Sequence, residues 1–95
     1  MQIKEVEQIT GMPRANIRYY EKQGLLDMTQ RNEYNYREYT KEDVEQLQRI
    51  RLLRMLEVPM EDIKAAKSDI PRMEQMILEQ LSNLNVMVGE IIQKK

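Results

Sequence analysis

Ninety-five residues leave room for one domain, and a core drawn from so short a chain buries only a modest share of its surface. With 41% hydrophobic and 33% charged residues, three glycines and three prolines, the composition favours helices over strands, so a mostly α fold is expected. The absence of cysteine and histidine excludes disulfides and the usual zinc and copper sites. The net charge of −1, with a pI near 5.5, excludes a chain that is basic throughout.

Charged and apolar residues alternate from Ile3 onward, without the apolar core of a signal peptide or a run able to span a bilayer. The expected location is the cytoplasm, with no membrane partner. Catalysis is not expected either, because the chain lacks histidine, cysteine, a phosphate-cradling glycine loop and a pair of carboxylates in an apolar setting. No metal or other cofactor is expected.

The first element is a short helix over residues 3–10, where Ile3, Val6 and Ile9 form an apolar stripe and Gly11 supplies the left-handed residue that ends it. Pro13 suits the first position of a second helix, which runs to about Lys22 with Ile17 and Tyr20 on one side. Gly24 breaks that pattern and Leu25 and Leu26 follow as a small apolar patch. The polar stretch 27–40 is then expected to form a two-stranded hairpin, turning at residues 32–35 and alternating through Tyr36, Arg37, Glu38 and Tyr39.

Thr40 followed by Asp43 reads as a capping box that opens a helix carrying Val44, Leu47, Ile50, Leu53 and Leu56. Val58 and Pro59 end it, and Pro59 starts a shorter helix through Met60, Ile63 and Ala66. From Pro71 onward one longer helix is expected. Its Ile77, Leu81, Leu84, Val88 and Ile91 follow steps of four and three, the spacing of a coiled-coil seam, so the helix needs a partner surface.

Two helices joined by a tight turn make a helix-turn-helix whose second helix carries Arg14, Asn16, Arg18 and Tyr19. Such a helix fits a DNA major groove about 12 Å wide and offers side chains to the base edges. Arg14, Arg18, Lys22, Arg31 and Arg37 face only Glu21, Asp27 and Glu33 within residues 14–37, a local positive surface of about two charges in an otherwise acidic chain. The hairpin brings Arg31, Tyr36, Arg37 and Tyr39 as a second element able to lie along the flanking backbone or minor groove.

The stretches ITGMPRANIRYYEKQGLL and NYREYTKEDVEQLQRIRLLRMLEVPMEDIK strongly resemble the N-terminal DNA-binding domain of the MerR family of bacterial transcriptional regulators, over roughly residues 2–67. The most specific matches are Ile17-Arg18-Tyr19-Tyr20-Glu21 with Gly24-Leu25-Leu26, and the family's Gly-Tyr-Arg-x-Tyr wing motif, which reads here as Asn35-Tyr36-Arg37-Glu38-Tyr39. The resemblance implies a winged helix-turn-helix, with four short helices and a two-stranded β wing, over residues 1–70. A long coiled-coil dimerisation helix, pairing antiparallel with its twin, would occupy residues 71–95.

By the same resemblance Arg18 and Tyr19 face DNA from the recognition helix, Tyr20 and Arg37 contact the backbone, and Tyr36 and Tyr39 organise the wing. For Tyr20, core packing and a phosphate-bonding hydroxyl are both open and compatible, because tyrosine has an apolar body and a polar tip. Arg14 and Asn16 lie where the family varies, which makes them candidates for operator choice. Three residues depart from the pattern: Pro13 stands where a helix-capping serine is common, Glu7 where a small residue is usual, and Asn35 at the wing glycine.

The implied activity is regulation of transcription by a homodimer on an inverted-repeat promoter site in double-stranded DNA, which it bends and untwists, with RNA polymerase as a further partner. Two other readings remain open at this point. An excisionase-like architectural protein would bend DNA without needing the pairing helix, and a helical protein-interaction module would use the Met-rich C-terminal helix without binding DNA.

Overall fold

The computed structural model describes residues 1–26, 30–31 and 37–93, with the backbone alone at 30, 31, 37 and 85–93. Five helices and one strand pair are present among these residues: α1 (Ile3–Thr10), α2 (Arg14–Lys22), β1 (Gln30–Arg31), β2 (Arg37–Glu38), α3 (Lys41–Met55), α4 (Met60–Ala65) and α5 (Ile70–Gln93). The fold is mostly helical, as the composition requires. The chain divides into two compact units, Met1–Arg51 and Leu52–Lys95.

In the first unit, α1 ends where its sequence says it should. Gly11 takes the left-handed conformation at φ 70° and donates its N–H to the Glu7 carbonyl at 2.9 Å. The end of α2 is a Schellman motif: Gly24, at φ 76°, donates to Glu21 at 2.9 Å, and Leu25 donates to Tyr20 at 3.1 Å. Leu25 and Leu26 are thereby turned inward and are buried, together with Val6, Met12, Ile17 and Tyr20.

The antiparallel pair β1–β2 sets Gln30 opposite Glu38 and Arg31 opposite Arg37. Beyond it, Tyr39 is buried, and its N–H bonds the Met1 carbonyl at 2.7 Å while its own carbonyl accepts from the Met1 ammonium at 2.8 Å. The expected turn over residues 32–35, and Tyr36 with it, lie outside the described residues. The predicted capping box is formed in both directions, the Thr40 N–H donating to Asp43 Oδ2 at 2.9 Å and the Asp43 N–H to Thr40 Oγ1 at 3.1 Å. The helix it opens buries Val44, Leu47 and Ile50 within this unit.

In the second unit, α3 ends in another Schellman motif, with Glu57 donating to Arg54 at 3.0 Å and Val58 to Leu53 at 2.9 Å. Here the left-handed residue is Glu57, at φ 64°. Pro13 and Pro59 each stand one place before their helices, in extended N-cap conformation at φ −60° and −61°, rather than at the first helical position. Asp69 caps α5 by accepting the Arg72 N–H at 3.1 Å.

Leu53, Val58, Ile63, Ala66, Met73 and Ile77 are buried in this unit, whereas Leu78, Leu81 and Leu84 on α5 are exposed. No helix among the described residues is long and apolar enough to cross a membrane.

Candidate nucleic-acid interface

The α1–turn–α2 segment is fixed chiefly by bonds on its inner side. Buried Thr10 donates its hydroxyl to the Val6 carbonyl at 2.7 Å and accepts the Met12 N–H at 3.2 Å. The Thr10 carbonyl, at the C-terminal end of α1, accepts from Arg51 Nη1 on α3 at 2.8 Å. A Cβ built on Gly11 would stand 3.5 Å from that same guanidinium, which is ordinary contact, so φ and not space calls for glycine there.

Ile17 and Tyr20 anchor α2, and this inward pair decides which way the rest of the helix points. Arg14, Asn16 and Arg18 are exposed on the other side, and Tyr19 is half exposed with its ring edge-on to Tyr20, the centroids 5.6 Å apart. The body of Tyr20 is packed inward. The helix carries Arg14, Arg18 and Lys22 against a single acid, Glu21, so its exposed side is cationic although the chain is not.

One further residue belongs to this face. Glu7, on α1, accepts the Arg14 N–H on Oε2 at 3.1 Å, while its Oε1 takes both Arg14 Nε at 3.1 Å and Arg14 Nη2 at 2.8 Å. The side-chain bonds from Arg14 hold the Glu7 carboxyl below its usual value of 4.5, with smaller help from the Arg14 backbone N–H and the charges of Arg14 and Arg18. Pro13 supplies no capping side chain, so this carboxylate caps α2 from the neighbouring helix.

In the sequence Glu7 and Pro13 are separate departures from the family pattern. They are one arrangement, for which the signal was an acid seven residues before an arginine that follows a proline. Arg51 carries no comparable mark in the sequence.

Arg31 and Arg37 are brought opposite one another by strand register, on an element separate in sequence from α2. Their side chains, and those of Val88 and Ile91, lie outside the described residues. Of the expected seam on α5, Ile77 is buried within this chain, while Leu81 and Leu84 are 43% and 45% exposed. Among the described residues no group of three or more acids is placed to hold a metal ion.

Comparison with known proteins agrees with this architecture. The family model described as MerR HTH family regulatory protein matches residues 1–69. The HTH-type transcriptional regulator CueR of Escherichia coli O6:H1 is 36% identical over 62 residues, which are 65% of this chain and 46% of CueR. The nodulation protein NolA of Bradyrhizobium diazoefficiens is 29% identical over 87 residues, 92% of this chain and 37% of NolA. The chain thus spans less than half the length of these curated relatives.

Among solved structures, HiNmlR, a MerR family regulator lacking the sensor domain and bound to promoter DNA, superposes with a TM-score of 0.79 at 22% identity, covering 98% of this chain and 76% of that one. A Listeria monocytogenes protein assigned to the same family superposes at 0.73, also at 22% identity and with the same coverage. At that identity the likeness speaks for the fold. With the family model matching most of its length, the chain belongs to the MerR HTH family of regulatory proteins.

Proposed function

We propose that the chain is the DNA-reading part of a transcriptional regulator. Residues 1–70 form a winged helix-turn-helix and residues 71–95 a pairing helix, so that a homodimer recognises an inverted repeat in promoter DNA and distorts it. The observation that carries this is the division of α2 into an inner face, Ile17 and Tyr20, and an outer cationic face, Arg14, Asn16, Arg18 and Tyr19. A helix held in this way by a preceding helix and a tight turn can present its outer residues to a major groove.

In this reading Arg18 and Tyr19 address the duplex, Arg14 and Asn16 select the operator, and the Tyr20 hydroxyl reaches a phosphate from its packed ring. The β1–β2 pair is the wing, with Arg31, Tyr36 and Arg37 placed on flanking backbone. The exposed Leu81 and Leu84 lie at the three-residue step of a seam that continues to Val88 and Ile91 in an antiparallel coiled coil, with Ile77 at its inner end. Apolar side chains left open on one helix side favour this over a monomeric DNA bender. In the cell, RNA polymerase at the same promoter is the second macromolecule the protein works beside.

The deciding experiment is selection of preferred sites from random duplex DNA, followed by binding curves at several salt concentrations. Recovery of an inverted repeat bound by two chains is the expected result. Failure to recover any preferred site would leave a non-specific bender or a protein-interaction module instead.

A further inference from the structure

Arginines on a recognition helix face two temptations, a base edge and the nearest phosphate, and only the first carries sequence information. An unrestrained arginine is drawn to either, because phosphate attraction is Coulombic and indifferent to sequence. Arg14 is not unrestrained. Its backbone N–H, Nε and Nη2 all donate to the Glu7 carboxylate, at 3.1, 3.1 and 2.8 Å.

The two guanidinium bonds occupy the side edge of the fork. A guanidinium has five N–H groups, so the end edge formed by Nη1 and the second Nη2 hydrogen stays open, and this is the pair of parallel donors that fits O6 and N7 of guanine. The opposed charge of Glu7 also offsets part of the pull that a phosphate would exert on Arg14, and the charge of Arg18, one turn further along, acts on the same carboxylate.

We propose that Glu7 is a positioning residue for sequence recognition, holding Arg14 as a charge-balanced, pre-aimed reader of a purine edge rather than a mobile phosphate contact. The proposal rests on the DNA-reading role given to α2 above. It assigns to α1 a part in specificity without contact to DNA, and it accounts for Glu7 and Pro13 together. With proline at the N-cap, the carboxylate that caps α2 is free to come from another helix and to grip the arginine as it does so.

The test uses Glu7→Gln, which keeps the shape and one acceptor but removes the charge, in both the native chain and an Arg14→Ala background. Binding is measured to the selected site and to a scrambled duplex across a salt series. In the native background the expected results are tighter binding to scrambled DNA, a salt slope steeper by about one, and a specific-to-scrambled ratio lower by about fivefold or more. In the Arg14→Ala background the same change should leave the ratio within about twofold, because the effect passes through Arg14.

A merely structural role would instead weaken both duplexes alike and leave their ratio and the salt slope unchanged; a lower melting temperature alone does not separate the two, since the Glu7–Arg14 bonds also stabilise the fold. An unchanged ratio and slope with DNA binding intact would overturn the Glu7 proposal alone, as would an equal effect without Arg14. A native chain that binds no duplex at all would overturn the regulator reading, and this one with it.

Discussion

Arg51 and Thr10, forty-one positions apart, meet at 2.8 Å, the guanidinium of α3 donating to the last carbonyl of α1. The bond puts a fixed positive charge at the negative end of the α1 dipole and satisfies one of the carbonyls that a helix leaves orphaned there. It also pins the start of the turn that aims α2, because Thr10 already holds Met12 through its hydroxyl.

Replacing Arg51 by methionine keeps much of the stem and removes the donor. The expected cost is about 1.5–3 kcal/mol, the range for a hydrogen bond involving a charged group, read as a lower urea midpoint with an unchanged slope. A midpoint equal to that of the native chain would mean the bond adds nothing to the fold.

Glu57 is a glutamate doing a glycine's work at the end of α3. Left-handed backbone costs an L-residue about 1–2 kcal/mol, part of which glycine gives back in chain entropy. Glu57→Gly should therefore raise stability by about 0.5–1 kcal/mol, or some 2–8 °C in Tm for a domain of this size. A calorimetric scan showing no rise would contradict the strain.

The Glu7 carboxyl titrates below 4.5 when folded, chiefly through its bonds to Arg14. A group whose pKa falls on folding lends stability above its unfolded value and loses it as the pH drops through the folded value. Stability should thus decline below about pH 4.5 with a contribution that Glu7→Gln removes. Parallel acid-unfolding curves for the two proteins provide the comparison, and identical curves would speak against the linkage.

On DNA, the two arginines of different elements should behave differently. Arg18→Ala is expected to lose about 1–3 kcal/mol on the selected site and to relax the preference at one position, while Arg37→Ala weakens all sequences alike and reduces the salt slope by about one. Equal losses on selected and scrambled duplex for both variants would mean that α2 does not read bases.

Leu84→Glu places a charge on the exposed apolar side of α5 and is expected to yield monomers in sedimentation equilibrium, with the fold of residues 1–70 retained by circular dichroism. A surviving dimer would move the seam elsewhere.

Much of the architecture was legible because its signals are local. Gly11, Gly24 and the Thr40–Asp43 box each lie within a few residues of what they terminate or begin, and the stripes Ile17–Tyr20 and Val44–Leu47–Ile50 follow the helical period. What escaped notice depends on elements meeting in space. Arg51 looks in sequence like an ordinary charge on a solvated helix face, and Glu7 stands out only as a departure from the family pattern; nothing near Thr10 or Arg14 names them as partners.

Glu57 escaped for a different reason, since a left-handed terminus without glycine has no compositional mark. The spacing on α5 has a limit of its own. A four-three step shows that a side is apolar, not whether its own chain covers it, and Ile77 is covered where Leu81 and Leu84 are not.

The turn between α1 and α2 is secured from behind, by Thr10, Met12, Gly11 and Arg51. Ala15, Asn16, Arg18 and Tyr19 in front contribute little to holding it. On the proposed reading of α2, such a division lets evolution, or a designer, rewrite its outward residues without retuning the frame. A library varied at Ala15, Asn16 and Arg18 should keep nearly all its members folded, and descendants of this chain could drift to new operators by single steps, whereas Arg14 could change freely only together with Glu7.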